Sequence, residues 1–440
     1  MVRRARQLLL VVLILVTGLL VVACGVAIRR ATCLIGLPDV GDPFDVMAFR
    51  ALSVPEDQDA FVLFRQAAAK CRPMPEPPMA YRRAGPVGNW LETDPKLREW
   101  TEANREALTP FQQGAERADG AWPLTIDQDR ASVLAMRLDW LVWLALLDAS
   151  RLEDQGDMAA AWSRYRAILR MRAHVMRRGT AFDRYVVRQY SRGLQARVAT
   201  WTTDPRTEVA LIRQALTDVG ACEPKPEWDV LSLKVDYLQM MRELDRPDGW
   251  VQQGDYEDRT IRLGDLQMPP NLAGSVQAAR RFLIREPERS RRALRLAFAN
   301  WLIHAEDSSP QSRKPAVRAE LKLNTHLSFY AVGPNAPAAA SGLSPLDLAN
   351  WLMTTRDAKL LLFQWFWPAI RISERRDHCA LTIMLANELY HRERGTLPPS
   401  EKVLVGPYLD HLPSDGSDEL DDGSAQRVDD SRRSIPGESE

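Results

Sequence analysis

Residues 140–178 read WLVWLALLDASRLEDQGDMAAAWSRYRAILRMRAHVMRR, and their spacing decides the fold. Leading into this stretch, Val133, Met136, Trp140, Trp143 and Leu147 recur every three or four residues. That period places side chains on one face of an α-helix. Gly156 then stands where a helix C-cap belongs, because glycine takes left-handed backbone angles without steric cost. Beyond it Ala161 is small enough for two antiparallel helices to approach, and Tyr165 is large enough to fill their seam. The stretch is a helical hairpin.

The punctuation elsewhere is also helical. Asp94-Pro95, Thr109-Pro110, Asp204-Pro205 and Ser344-Pro345 each set a capping side chain before a proline, the pairing expected at a helix start. Leu97, Trp100, Asn104 and Leu108 share one face with a single polar lapse, and Gly179 and Gly395 read as further C-caps. No strand-like alternation and no Asn-Gly hairpin signal interrupts them. The fold class is all-α.

Residues 140–178 also resemble a tetratricopeptide unit, with Ala149, Leu152, Gly156, Ala161 and Tyr165 at its small, large, turn, small and aromatic positions. Ala145 and Ile168 depart from that pattern, and no second copy follows at a period of 34. The reading is therefore an irregular, partly tetratricopeptide-like helical domain.

Residues 8–28, LLLVVLILVTGLLVVACGVAI, carry no charge. As a helix they span about 31 Å, enough for the hydrocarbon core of a bilayer. Arg3, Arg4 and Arg6 precede them and only Arg29 and Arg30 follow. The heavier positive flank stays in the cytoplasm, so residues 1–7 are expected there and the rest of the chain outside it. An uncleaved signal anchor in the cytoplasmic membrane is the leading reading. Val21-Val22-Ala23-Cys24 leaves lipidation at Cys24 as an alternative, and cleavage after Ala23 as a third.

Residues 29–55 read as a linker, 56–395 as the helical domain with a sub-boundary near 268–272, 396–413 as a short docking segment and 414–440 as a tail. Two proline-rich stretches, Arg72–Pro78 and the segment through Met268-Pro269-Pro270, interrupt the helices, and a third loop, rich in Gly, Ala, Ser and Pro, is expected at 332–345. From Asp410 to Glu440 there are ten acids against three arginines, a composition that predicts disorder. The whole chain carries 58 basic and 58 acidic residues, a neutral balance that gives no support to nucleic-acid binding. Outside the anchor, an oxidising compartment permits a Cys33–Cys71 bridge.

Ala380–Pro413, ALTIMLANELYHRERGTLPPSEKVLVGPYLDHLP, resembles a C-terminal segment of pseudopilin-related exported proteins. Ser414-Asp415-Gly416 departs from it, and MVRRARQ lacks the processing site of a true pseudopilin. With Gly36-Leu37-Pro38-Asp39-Val40-Gly41-Asp42-Pro43-Phe44-Asp45-Val46 after the anchor, the chain is similar to a planctomycete-type family of membrane-anchored helical proteins. That resemblance implies export and an anchored helical domain; it implies no activity and no cofactor.

The best metal-ligand pair is Glu388 with His391, a Glu-x-x-His spacing that shares one helix face. Di-iron bundles need two such pairs and two further glutamates. Solvation of the helix end is the simpler reading. No nucleophile elbow, zinc helix or phosphate loop occurs. The arginines of residues 165–178 and 280–295 read as solvated faces. Leu360–Ile370, LLLFQWFWPAI, reads as a buried helix ended by Pro368. These features point to membrane attachment through residues 8–28 and to an interaction or structural role with protein partners. An envelope-polymer enzyme with an unrecognised carboxylate site, or an accessory part of a secretion or pilus-like apparatus, is the alternative.

Overall fold

The structure is a computed structural model. It describes residues 2–32, 39–75 save 53, 89–120, 128–245 save 190, and 355–414, with Leu34 and scattered positions between 262 and 305. Cys33, the boundary near 268–272, the loop at 332–345, Ser344-Pro345, Arg280, Arg281, Arg289 and residues 415–440 lie outside the described residues.

The helices run in order α1 (Val2–Thr32), α2 (Val46–Ala51), α3 (Ala60–Lys70), α4 (Pro95–Asn104), α5 (Leu108–Ala115), α6 (Gln128–Asp154), α7 (Met158–Arg178), α8 (Ala181–Arg188), α9 (Ser191–Thr203), α10 (Val209–Gly220), α11 (Pro226–Asp245) and α12 (Thr355–Arg394). Short 3₁₀ turns precede α4, join α4 to α5 and follow α12. Among the described residues, β-structure amounts to a two-residue ladder of Arg262–Leu263 with Leu266–Gln267 and two isolated bridges. The chain is all-α. Val12–Ala31 within α1 has a mean hydropathy of 2.5 and is long and apolar enough to cross a membrane.

Two compact units divide the chain: residues 1–46 with 237–365, and residues 47–236 with 366–440. In the first, the segment after the anchor helix is clasped, although the sequence reads as an open linker. Arg295 donates from Nη1 to Asp39 at 2.9 Å and from Nε to Asp42 at 3.2 Å, and the Tyr237 hydroxyl also donates to Asp42. The Tyr237 ring lies edge-on to Phe44 and to fully buried Phe298, with centroids 5.5 Å away in each case.

The second unit is built around the α6–α7 hairpin. Gly156 closes α6 at φ +82°, as its position predicts. Ala145, Ala149, Ala161, Tyr165 and Ile168 are all fully buried. The helix α9 lies antiparallel to α7, with Trp162 stacked on Trp201 at 5.1 Å. Trp201 Nε1 donates to the Met158 carbonyl at 3.0 Å, giving the buried indole the partner it needs. On the other side, Phe61 and Phe64 of α3 pack with Phe111 of α5 and the edge of His174. Gly114 admits Phe64 so closely that a Cβ there would sit 2.8 Å from the ring.

Asp94 caps α4 through a 2.8 Å bond from the Lys96 amide, as the Asp-Pro signal predicts. Asn104, the polar lapse on that helix, is buried and used: its amide donates to the Trp100 carbonyl at 2.6 Å and its oxygen accepts the Arg72 amide at 2.7 Å. Three proline readings need correction. Helix α5 starts at Leu108, so Pro110 is its third residue, where the missing N–H costs nothing. Asp204-Pro205 forms the turn before α10, which starts at Val209. Pro368 lies inside α12 and does not end it. One lost backbone bond costs about 3 kcal/mol, and the continuing helix buries Ile370, Ile372, Leu381, Leu385, Ala386 and Leu389 in return.

Candidate functional site

A seam of buried charge crosses the second unit, and it is assembled from residues distant in sequence. Arg184 of α8 is 2% exposed. Its Nη1 donates to Asp229 of α11 at 2.9 Å, while Nε at 3.0 Å and Nη2 grip the two oxygens of Glu374 on α12. Arg371 of α12 closes the set with an ion pair to the other Asp229 oxygen at 2.8 Å. Burial works against the Arg184 cation, but Glu374 and Asp229 outweigh it and raise its pKa. A fork-shaped guanidinium matched to a carboxylate binds more strongly than a point charge.

A second cluster joins α6, α7 and α9. The Tyr165 hydroxyl donates to Glu153 Oε1, and Arg197 Nη2 donates to Glu153 Oε2. Burial pushes the Glu153 carboxyl up against the pull of Arg197, and burial followed by Glu153 raises the Tyr165 phenol well above its usual range. A third ties α6 to α7: Asp148, with no exposed side-chain surface, accepts from Arg151 at 2.9 Å and Arg164 at 2.8 Å.

The loop entering α8 is held in the same way. Thr180 and Asp183 form a reciprocal capping box, and Asp236 of α11 accepts the Ala181 amide at 3.1 Å. Burial pushes the Asp183 carboxyl up to about 6, opposed by its bonds from Thr180.

Glu388 and His391 do not converge on a site. Glu388 accepts from Arg392 Nε at 2.7 Å, and the rest of that guanidinium donates to the carbonyls of Thr202 at 2.6 Å, Asp204 at 2.8 Å and Thr207. His391 is exposed. Glu388 therefore steadies the residue that pins α12 to the α9–α10 turn. Among the described residues no three His, Cys, Asp or Glu side chains are grouped to hold a metal ion. Cys24 is exposed on α1. Cys71 is buried at the end of α3, its Sγ 3.6 Å from the Arg72 carbonyl; its expected partner Cys33 lies outside the described residues.

The arginine face of α7 is partly exposed, as expected, and it is also paired. Arg166 pairs with Glu116 at 2.8 Å, and Arg170 meets the same carboxylate. Arg177 and Arg178 meet Asp119 at 3.1 and 3.2 Å. Two carboxylates at the exit from α5, Glu116 and Asp119, offset part of the charge of these four arginines, a pairing invisible until α5 is laid across α7.

The docking segment packs as expected in part. Leu404 and Leu409 are buried in the core, and Tyr408 meets Tyr390 edge-on at 6.1 Å. Leu397, Val403 and Val405 are exposed. His378 and Cys379 diverge, the first reaching Thr382 at 3.5 Å and the second the Pro413 carbonyl at 3.4 Å. Comparison of the chain with protein families, curated proteins and solved structures gives no match.

Proposed function

We propose that the chain is a single-pass membrane protein whose helical part has a structural or protein-binding role on the outer side of the cytoplasmic membrane. The observation that carries this reading is the use made of the buried carboxylates. Asp148, Glu153, Asp229 and Glu374 each hold an arginine from another helix, so their charge is committed to joining helices. The length and hydropathy of Val12–Ala31 and the heavier arginine flank before it support the anchor and its direction.

Three measurements test it. A reporter active only outside the cytoplasm, fused after Asp45, is expected to be active. Leu13→Arg with Val16→Arg is expected to release the protein from membranes, since two central arginines cost roughly 5 to 7 kcal/mol of insertion. For the role itself, Asp148, Glu153, Asp229 and Glu374 are neutralised one at a time. Carboxylates that brace the fold lower Tm when replaced, whereas one held under strain for chemistry raises it. A raised Tm at any of the four contradicts the structural reading.

A further inference from the structure

Residues 280–295 carry seven arginines against two glutamates and belong to the same compact unit as the anchor helix. By composition alone they are a solvated face, but the fold fixes where that face stands. The apolar span ends at Ala31, and the eight residues from there to Asp39 reach at most about 28 Å. Arg295 donates from Nη1 to Asp39 at 2.9 Å and from Nε to Asp42 at 3.2 Å. The clasp thereby keeps Arg295 within that reach of the end of the span. An open linker over residues 29–55 would extend about 90 Å.

The packing leaves the neighbouring arginines at the surface. The described residues from Arg291 to Ala305 are helical, and Leu294, Phe298 and Leu302 are buried at four-residue spacing. At about 100° per residue, Arg292 falls on the side of the helix away from that buried stripe. Arg285 and Arg292 share one carboxylate, Glu288, at 2.6 and 2.7 Å. That sharing sets two guanidinium groups side by side without matching their charge. The Gly41 amide, then Arg295 and Arg292, hold the Asp39 carboxyl below its ordinary range, so Arg292 also stands beside the clasp. Asp39, Asp42, Asp45, Glu286 and Glu288 are five carboxylates against these seven arginines, with Arg29 and Arg30 added in the last turn of α1. Nine arginines against five carboxylates leave a surplus of four positive charges beside the anchor.

We propose that Arg285, Arg291 and Arg292, brought to the membrane by the Asp39–Asp42–Arg295 clasp, dock on the headgroups of anionic phospholipids in the leaflet from which α1 emerges. The proposal rests on the anchored reading of α1. A guanidinium fork meets two phosphate oxygens at once, which an ammonium cannot do. An anionic leaflet attracts such a surface across about a Debye length, about 8 to 10 Å. A basic face therefore gains from lipid only where the chain carries it to the bilayer, and the clasp does so. The bilayer is the one anionic partner that the tether itself keeps within reach; an acidic polymer has no such constraint. On this reading Asp39 and Asp42 have two tasks: they pair with Arg295, and they position its neighbours.

The test is amide hydrogen exchange of the full chain in lipid nanodiscs, made of phosphatidylcholine alone or of phosphatidylcholine with phosphatidylglycerol. Residues 285–299 are expected to exchange more slowly in the anionic discs, by about fivefold for each arginine engaged. Salt at about 1 M is expected to remove the difference. Arg285→Gln with Arg291→Gln is expected to lose most of the slowing while exchanging as wild type does in the neutral discs. Arg291→Gln alone, with a loss of about fivefold, carries the test if the pair disturbs the fold. Equal exchange in the two kinds of disc overturns the proposal, as does a slowing that survives the salt or the paired substitution. Slowing by soluble polyglutamate in neutral discs, with none from the anionic leaflet, assigns the surface to an acidic polymer and overturns it too. A chain that does not enter neutral discs overturns the anchored reading and the proposal with it. A chain that enters both discs and exchanges alike in them overturns the proposal alone.

Discussion

Arg184 and Glu374 are 190 residues apart in the chain, yet the guanidinium donates to both oxygens of the carboxylate. The same arginine reaches Asp229, so one side chain joins α8, α11 and α12. Contacts of this range carry a heavy loop-closure cost during folding, and in the native state they decide how the last helix is seated.

The Glu153 cluster gives a smaller and cleaner measurement. Tyr165→Phe removes one hydroxyl and leaves Arg197 on the carboxylate. Deprived of one bond in a buried site, Glu153 is expected to cost the fold about 2 kcal/mol, read as a lower midpoint in denaturant titration with an unchanged slope. An unchanged midpoint would show that the Tyr165–Glu153 bond does not form in solution.

Gly114→Ala puts a methyl 2.8 Å from the Phe64 ring. Overpacking of this kind costs about 1 to 3 kcal/mol, whereas alanine for glycine within a helix otherwise gains about 1 kcal/mol. A loss of stability is therefore expected, and a gain would mean that α3 and α5 separate readily. Urea denaturation of the two proteins decides the sign.

Acid should weaken the fold through its two buried histidines. Burial pushes His174 and His378 down to about 4, below the ordinary value near 6.5. The unfolded chain then binds protons that the folded one refuses, so stability falls as pH drops from about 6.5 to 4. Asp183, pushed up to about 6, works in the opposite sense: it contributes most at low pH and loses that contribution as pH rises from about 4 to 6. Glu153, also pushed up by burial, adds to the sense of Asp183, but the two histidines set the net slope toward lower stability in acid. His174→Phe is expected to flatten it, by about 3 kcal/mol between pH 7 and 4, measured by denaturant midpoints at each pH. A slope unchanged in that variant would show that His174 titrates normally.

Local signals in the chain were legible where local physics governs. Asp94 before Pro95 and Gly156 after α6 do what their side chains and backbone dictate. Pro110, Pro205 and Pro368 misled, because a proline is tolerated in a first turn, in a bend between helices, or where enough apolar surface is buried beyond it. The seam at Arg184 had no sequence signal at all. Asp229 and Glu374 are ordinary charged residues until α8, α11 and α12 are packed.

The docking segment separates two kinds of C-terminal residue. Leu404→Ala removes a fully buried side chain and is expected to cost about 2 to 5 kcal/mol. Leu397→Ala alters an exposed one and is expected to change stability by less than about 0.5 kcal/mol. Equal effects in a thermal melt would mean that residues 396–413 do not pack on the core as described.

The most direct test of a fold braced by buried charge is a double-mutant cycle on Arg184 and Glu374. Arg184→Met leaves Glu374 buried and uncompensated and is expected to cost about 3 to 5 kcal/mol, whereas Glu374→Leu leaves Arg184 its pair with Asp229 and is expected to cost less. The double variant leaves Asp229 paired with Arg371 and is expected to recover much of that loss, giving a strong interaction energy between the two sites. Denaturant titration of the four proteins measures it. Losses that simply add, with the double variant less stable than either single one, would contradict the account.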